Sequence, residues 1–205
     1  MLKKEQRKIR INLGSGIELQ AGFINVDLYD INELKKKEGV FKNVVIAGKY
    51  VQADVRKLPF KDNYADYIMA SEILEHMPLT DLNSTLREWV RVLKKGGRMI
   101  ITCPDFDAIC EDWLNAPFSP SAYGDQAQVI YGSQIADGEY HKSPINKDFL
   151  NFYLGQLGVK GKIYRYPKGT ETIDYDGKPA RPGYVYRNGV IHADVTKWNE
   201  HSLQE

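Results

Sequence analysis

Cysteine is scarce in this chain, with only Cys103 and Cys110 among its 205 residues. Two thiols outside any metal-ligand or redox pair make no disulfide framework, so a reducing compartment is expected. Long apolar runs are missing too. No stretch approaches the ~20 residues that span a bilayer, and the charged start MLKKEQRKIR carries no signal-peptide core. These absences lead to the expectation of a cytoplasmic protein with no membrane partner. Nor does one sign of charge dominate. With 28 basic and 27 acidic residues the net charge is +1, so no overall field recruits nucleic acid. The short basic runs Lys3-Lys4, Arg7-Lys8 and Lys35 to Lys37 read as solvated surface. Histidine is limited to His76, His141, His192 and His201, which keeps the search for a general base short.

What the chain does contain is ordinary globular material, 42% hydrophobic and 27% charged. Its length suits one domain, residues 1–205, and no repeat, low-complexity tract or linker divides it. Ile9 to Leu13 and Phe23 to Leu28 are β-prone runs, the first ending at Gly14-Ser15-Gly16 and the second in acid. Asn32 to Glu38 predicts a short helix, and Tyr50 to Val55 and Ala65 to Ala70 predict two further strands. The clearest helix is predicted from Thr80 to Gly97. There Leu82, Leu86, Trp89, Val90 and Leu93 recur at helical spacing, Thr80 or Asp81 caps the start and Gly96 supplies the stop. Arg98 to Thr102 reads as a buried strand. Beyond it, helices are expected over Phe106 to Leu114, Asp125 to Ile135 and Ile145 to Leu157. Strands follow at Lys162 to Tyr166, Tyr184 to Tyr186 and Val190 to Asp194, with a turn-rich loop from Pro167 to Gly183. Strands alternating with helices predict an α/β fold with a mostly parallel sheet.

In such a sheet, ligands bind beyond the carboxyl ends of the strands, near the point where strand order reverses. The strand-end residues therefore carry the functional reading. Gly14 and Gly16 let backbone approach a ligand closely. Asp27 can accept hydrogen bonds from both hydroxyls of a ribose, and Asp54 one from an adenine amino group. Ser71-Glu72 falls where the reactive end of an extended nucleoside would lie. Each signal is commonplace alone; their order along successive strands is not.

INLGSG, then INVDL, ADVRKLPF, SEILEHM and REWVRVLKKGGRMIITCPD together resemble the class I methyltransferases that use S-adenosylmethionine. The resemblance is close from Ile11 to Asp105 and looser through YHKSPINKDFLNFYLGQLGV. It implies a Rossmann-like αβα sandwich whose seven-stranded sheet ends in an antiparallel strand. It also implies a cofactor site of Leu13, Gly14, Ser15, Gly16, Asp27, Leu28, Asp54, Val55, Ser71 and Glu72. The glycine turn would face the methionine part, Asp27 the ribose, Asp54 with Val55 the adenine, and Ser71 the methyl group. One departure is informative: the third glycine of the dinucleotide pattern is absent, and Ile17 to Gly22 has room for at most a helical turn. That weakens anion binding by a helix N-terminus and so disfavours a pyrophosphate cofactor.

With methyl already activated by positive sulfur, the protein chiefly has to align an acceptor. A hydroxyl acceptor must also lose its proton, and His141, with His76, is the candidate catalytic group. The expected substrate is a small polar, sugar-like metabolite methylated on oxygen, beneath a lid formed by residues 106–145. Tyr123, Tyr131, Tyr140, Tyr153 and Trp113 either stack on the acceptor or pack the lid. If Ser71 starts a helical turn, Glu72, Glu75 and His76 share a face. That array resembles some metal-dependent O-methyltransferases, with His141 a conceivable fourth ligand; the alternative is a metal-free loop-helix junction. A nicotinamide-dependent oxidoreductase and a noncatalytic binding module are the other readings. Oligomeric state is not legible.

Overall fold

The computed structural model describes residues 8–16, 19–37, 48–115, 119–134, 138–166 and 189–198, with backbone alone for 35–37, 120–123, 125 and 126. Seven strands form one sheet: β1 (Arg10–Leu13), β2 (Ile24–Asp27), β3 (Lys49–Gln52), β4 (Ala65–Ser71), β5 (Leu93–Pro104), β6 (Val159–Tyr166) and β7 (Val190–Lys197). Their order is β3-β2-β1-β4-β5-β7-β6. Pairs from β3 across to β5 are parallel, whereas β7 runs antiparallel to both β5 and β6. The final strand in sequence is thus the antiparallel one, as expected. Between β1 and β4 the chain reverses its direction of travel across the sheet, which opens a crevice at their carboxyl ends.

Alternation within β4 separates the two faces of the sheet. Ile68 and Ala70 enter the main core, while Tyr67 and Met69 join a smaller cluster with Phe23 and Ile100. Over the main core lies α2 (Leu82–Val92), whose Leu82, Thr85, Leu86, Trp89 and Val90 are buried at helical spacing. Helix α5 (Lys147–Gln156) adds Leu150 and Leu154. Its start is fixed by Asn146, whose side chain accepts the Phe149 N–H at 2.8 Å. The remaining helices are α1 (Ile31–Lys37), α3 (Phe106–Asn115) and α4 (Pro120–Tyr131). None of the described helices is long and apolar enough to cross a membrane.

Three sequence expectations change. The predicted helix from Thr80 to Gly97 ends at Val92, because Leu93 turns to extended backbone and buries itself in the sheet. Ala65 pairs with Leu93 and Tyr67 with Arg98, so residues 94–97 loop out of β5, and Gly96 turns this loop at φ 75°. The Lys94 Nζ bridges both Asp66 oxygens at 2.8 Å. Asp81 precedes α2 but makes no side-chain cap, since its carboxylate takes Arg56 and the Thr80 hydroxyl instead. Third, α4 begins earlier than expected and ends at Tyr131. The expected loop at Pro167 to Gly183, the strand at Tyr184 to Tyr186, and His201 lie outside the described residues.

Candidate cofactor and acceptor site

A cavity of about 750 Å³ occupies the crevice beyond β1, β2 and β4. Its wall begins at the turn after β1. Gly14 and Gly16 both hold positive φ, 62° and 49°, a conformation that glycine adopts without strain. At Gly14 a Cβ would stand 2.5 Å from Cγ1 of Ile73, on the loop after β4. Two constraints thus meet at one glycine, and Gly14→Ala is expected to distort the turn and abolish saturable cofactor binding in calorimetry.

Asp27 closes the turn. One carboxylate oxygen accepts the Gly16 N–H at 2.9 Å and the other the Tyr29 N–H at 3.2 Å. The Ser15 N–H is spent on the Val26 carbonyl at 3.0 Å. A carboxylate has about four acceptor sites, so Asp27 keeps capacity toward the cavity it lines. Nearby, Asn25 bridges Gln20 through both ends of its amide and receives the Asn12 amide. That network ties Gln20, at the approach to β2, to the strand itself. No sequence signal marked Gln20 or Tyr29, although both line the cavity.

Asp54 also lines the cavity, but Arg56 grips its carboxylate through Nε and one terminal nitrogen at 2.7–3.0 Å. The guanidinium holds that carboxyl below the usual range and reaches on to Asp81 at 2.8 Å. Val55 follows, and its carbonyl accepts the indole N–H of buried Trp89 at 3.0 Å. The loop after β3 is therefore fastened to α2 from beneath. Leu28, 54% exposed, lines the cavity as expected. Leu13 does not: it is fully buried and packs in the core. Its place on the strand points it away from the crevice that the following glycine opens.

Past Ser71, whose hydroxyl pairs with that of Thr102 at 2.7 Å, the wall becomes acidic and imidazole-rich. Glu72 sits at φ 50°, with its N–H on the Thr102 carbonyl. A helical turn therefore does not start at Ser71; the 3-10 turn begins only at Leu74 and ends at His76. The expected i, i+3, i+4 face is replaced by a tertiary arrangement. The Glu75 carbonyl accepts the N–H groups of Lys142 and Ser143, and the Ser143 hydroxyl donates to the Met77 carbonyl at 2.6 Å. These bonds lay the segment after α4 across the turn and bring the His141 ring to 4.9 Å from that of His76, edge to face.

Each imidazole uses Nδ1 on a backbone carbonyl: His76 on Tyr140 at 3.1 Å and His141 on Val129 at 2.7 Å. A carbonyl only accepts, so Nδ1 carries the proton and Nε2 keeps its lone pair. Burial lowers both pKa values, and for His76 the neighbouring His141 lowers it further. Glu75 is buried, and burial followed by the charge of Glu72 pushes its carboxyl well up. Glu72 is open to the cavity, yet the surrounding protein pushes it up to about 7.

Among the described residues, the lid region enters the cavity only through Gly138, Glu139, His141 and Lys142. Tyr131 and Tyr140 are exposed, and Tyr153 packs on Phe149 at 4.5 Å between ring centres. None of these, nor Trp113, lines the cavity, and the side chain of Tyr123 lies outside the described residues. His192 is buried in β7 beside Tyr166, away from the crevice.

Comparison with known proteins gives this architecture its family. The family profile of a methyltransferase domain matches residues 15–101, from the glycine turn into β5. Profile and fold together make the segment from the glycine turn into β5 a methyltransferase domain of the class I S-adenosylmethionine-dependent type. Its curated relatives include the ubiquinone/menaquinone biosynthesis C-methyltransferase UbiE of Klebsiella pneumoniae (strain 342), 42% identical over 155 residues, 73% of this chain and 58% of that one. The UbiE of Pectobacterium carotovorum is 36% identical over 90 residues, 43% of this chain and 34% of that one. The chain thus spans only about a third to three fifths of the length of these relatives. A SAM-dependent methyltransferase from Archaeoglobus fulgidus shares the fold at TM-score 0.53 and 17% identity, over 91% of this chain and 86% of that one. So does the Burkholderia thailandensis 1,6-didemethyltoxoflavin-N1-methyltransferase, solved with S-adenosylhomocysteine, at TM-score 0.55 and 13% identity, over 95% and 72%. S-adenosylmethionine is the cofactor that goes with such a domain, which sets aside the nicotinamide alternative.

Proposed function

We propose that the chain transfers the methyl group of S-adenosylmethionine to a hydroxyl of a small polar, sugar-like acceptor. The cofactor would lie along Gly14, Asp27 and Asp54, its methyl directed past Ser71. The observation that carries the acceptor reading is the polar far end of the cavity. Glu72, Glu75, His76 and His141 gather there, whereas the described aromatic side chains of the lid stay outside. Such a surface suits an acceptor rich in hydroxyls better than an apolar ring. Within this reading the neutral His141 Nε2 accepts the proton that the acceptor hydroxyl loses as its oxygen attacks the methyl carbon. Sulfur leaves with the bonding pair as S-adenosylhomocysteine.

The test is transfer of labelled methyl to a panel of hydroxylated metabolites, with the product's methyl assigned to oxygen or carbon by NMR. Oxygen-bound label is expected, and His141→Gln is expected to slow transfer ~10²–10⁴-fold, the usual worth of a general base. Carbon-bound methyl would instead favour the chemistry named for the UbiE relatives. Absence of transfer, with S-adenosylhomocysteine still bound, would favour a noncatalytic binding module. A reading without nucleic-acid, membrane or protein partners goes with this proposal.

A further inference from the structure

We propose that Glu75, His76 and His141 form a site for one divalent transition-metal cation at the acceptor end of the cavity. Each residue offers a ligand atom, and the three atoms lie within 4.8 Å of one another. Bonds of ~2.0–2.2 Å to a shared ion need only a slight inward closure of these side chains.

A second observation is independent of that proximity. Glu75 is 3% exposed, and neither of its carboxylate oxygens has a hydrogen-bond partner. Burying such a group without a partner is costly. A proton on Glu75, shared with the nearby carboxyl of Glu72, removes the charge but offers nothing to the two imidazole lone pairs beside it. A cation satisfies the oxygen and the charge together. The two imidazoles, moreover, are already held as ligands are held. Each is anchored through Nδ1 on a backbone carbonyl, which fixes the tautomer and leaves the Nε2 lone pair free for a metal. The anchors come from the lid segment, as do the Lys142 and Ser143 N–H bonds to the Glu75 carbonyl. The cluster is thus stapled from two directions, more order than a solvated polar patch requires.

Two imidazoles and one carboxylate suit Zn²⁺, Mn²⁺, Fe²⁺ or Co²⁺ better than Mg²⁺ or Ca²⁺, which favour all-oxygen ligands. Three protein ligands leave positions open, and all three residues line the cavity. An acceptor hydroxyl bound there would become more acidic through the cation. This consequence rests on the methyl-transfer reading. With its lone pair on the cation, His141 holds the metal instead of taking the proton, and the acidified hydroxyl gives its proton to Glu72, which lines the same cavity, or to solvent. Binding of the metal itself does not depend on that reading.

The experiment is titration of the chelator-treated full chain with Co²⁺, followed by visible absorption and by equilibrium dialysis. One equivalent is expected, with a ligand-field band stronger than that of aqueous Co²⁺. Glu75→Gln, His76→Ala and His141→Ala are each expected to weaken binding by at least ~100-fold, since even outer partners of metal ligands are worth ~10–100-fold. Binding of S-adenosylhomocysteine reports that each variant is folded. Should a variant fail to fold, Zn²⁺ added to the ¹⁵N-histidine-labelled native chain decides: two Nε2 resonances are expected to shift. Less than stoichiometric Co²⁺ and Zn²⁺ uptake, unmoved histidine resonances, or native affinity in folded variants overturns the proposal. Failure of the methyl-transfer reading would appear in the label assay alone and leave the Co²⁺ titration unchanged.

Discussion

Asp27→Ala is expected to weaken S-adenosylhomocysteine binding by at least ~100-fold in calorimetry while leaving the fold intact. Hydrogen bonds to a charged group contribute ~1.5–3 kcal/mol each, and a ribose offers two hydroxyls to one carboxylate. The same side chain also accepts the N–H groups of Gly16 and Tyr29, so its loss frees the glycine turn as well. Asp27→Asn separates the two contributions. An amide keeps one carbonyl oxygen to hold a backbone N–H but carries no charge and presents a donor where an acceptor stood. Its affinity is expected to fall between native and alanine. Equal binding by all three proteins would remove Asp27 from the cofactor site.

Trp89→Ala is expected to cost ~3–5 kcal/mol of stability, the usual range for removing a large buried aromatic side chain. At ~2–4 °C per kcal/mol for a chain of this size, the melting temperature falls by roughly 6–20 °C. Trp89 is fully buried in the main core and makes one polar contact, its indole N–H on the Val55 carbonyl. Trp89→Phe keeps most of the apolar contact but strands that carbonyl, at about 1–3 kcal/mol. Because Val55 follows Asp54 on the cavity wall, the Phe variant is expected to lose cofactor affinity beyond what its stability change predicts. Differential scanning calorimetry with and without S-adenosylhomocysteine measures both effects. A melting point unchanged in the Ala variant would contradict the packing described.

The strand-end residues were legible because each role follows from local chemistry. Gly14 and Gly16 stand where only a glycine turns freely, and Asp27 and Asp54 end or follow strands whose β-prone runs are visible in the sequence. Leu13 fails the same logic for a simple reason. Adjacent residues on a strand face opposite ways, and proximity in sequence to a glycine turn says nothing of which way a side chain points. The predicted helix through Gly97 overran because Leu93 fits two patterns. It continues the apolar stripe of α2 and equally serves as a buried strand residue beside Ala65. Pairing with β4 decides between them, and a helical period cannot see that partner.

The sequence by itself determined the alternation of strand and helix, the glycine turn and the acids that succeed it, and hence the class of cofactor. These depend on neighbours a few residues apart. Only the tertiary structure decided the acceptor end. Lys142 and Ser143 donate to the carbonyl of Glu75, some 67 positions earlier in the chain, and so His141 meets His76. Local helical spacing had grouped Glu72 with Glu75 and His76; the left-handed backbone at Glu72 broke that register. A site assembled by hydrogen bonds between distant backbone segments leaves no periodic trace, because backbone donors and acceptors are the same at every residue but proline.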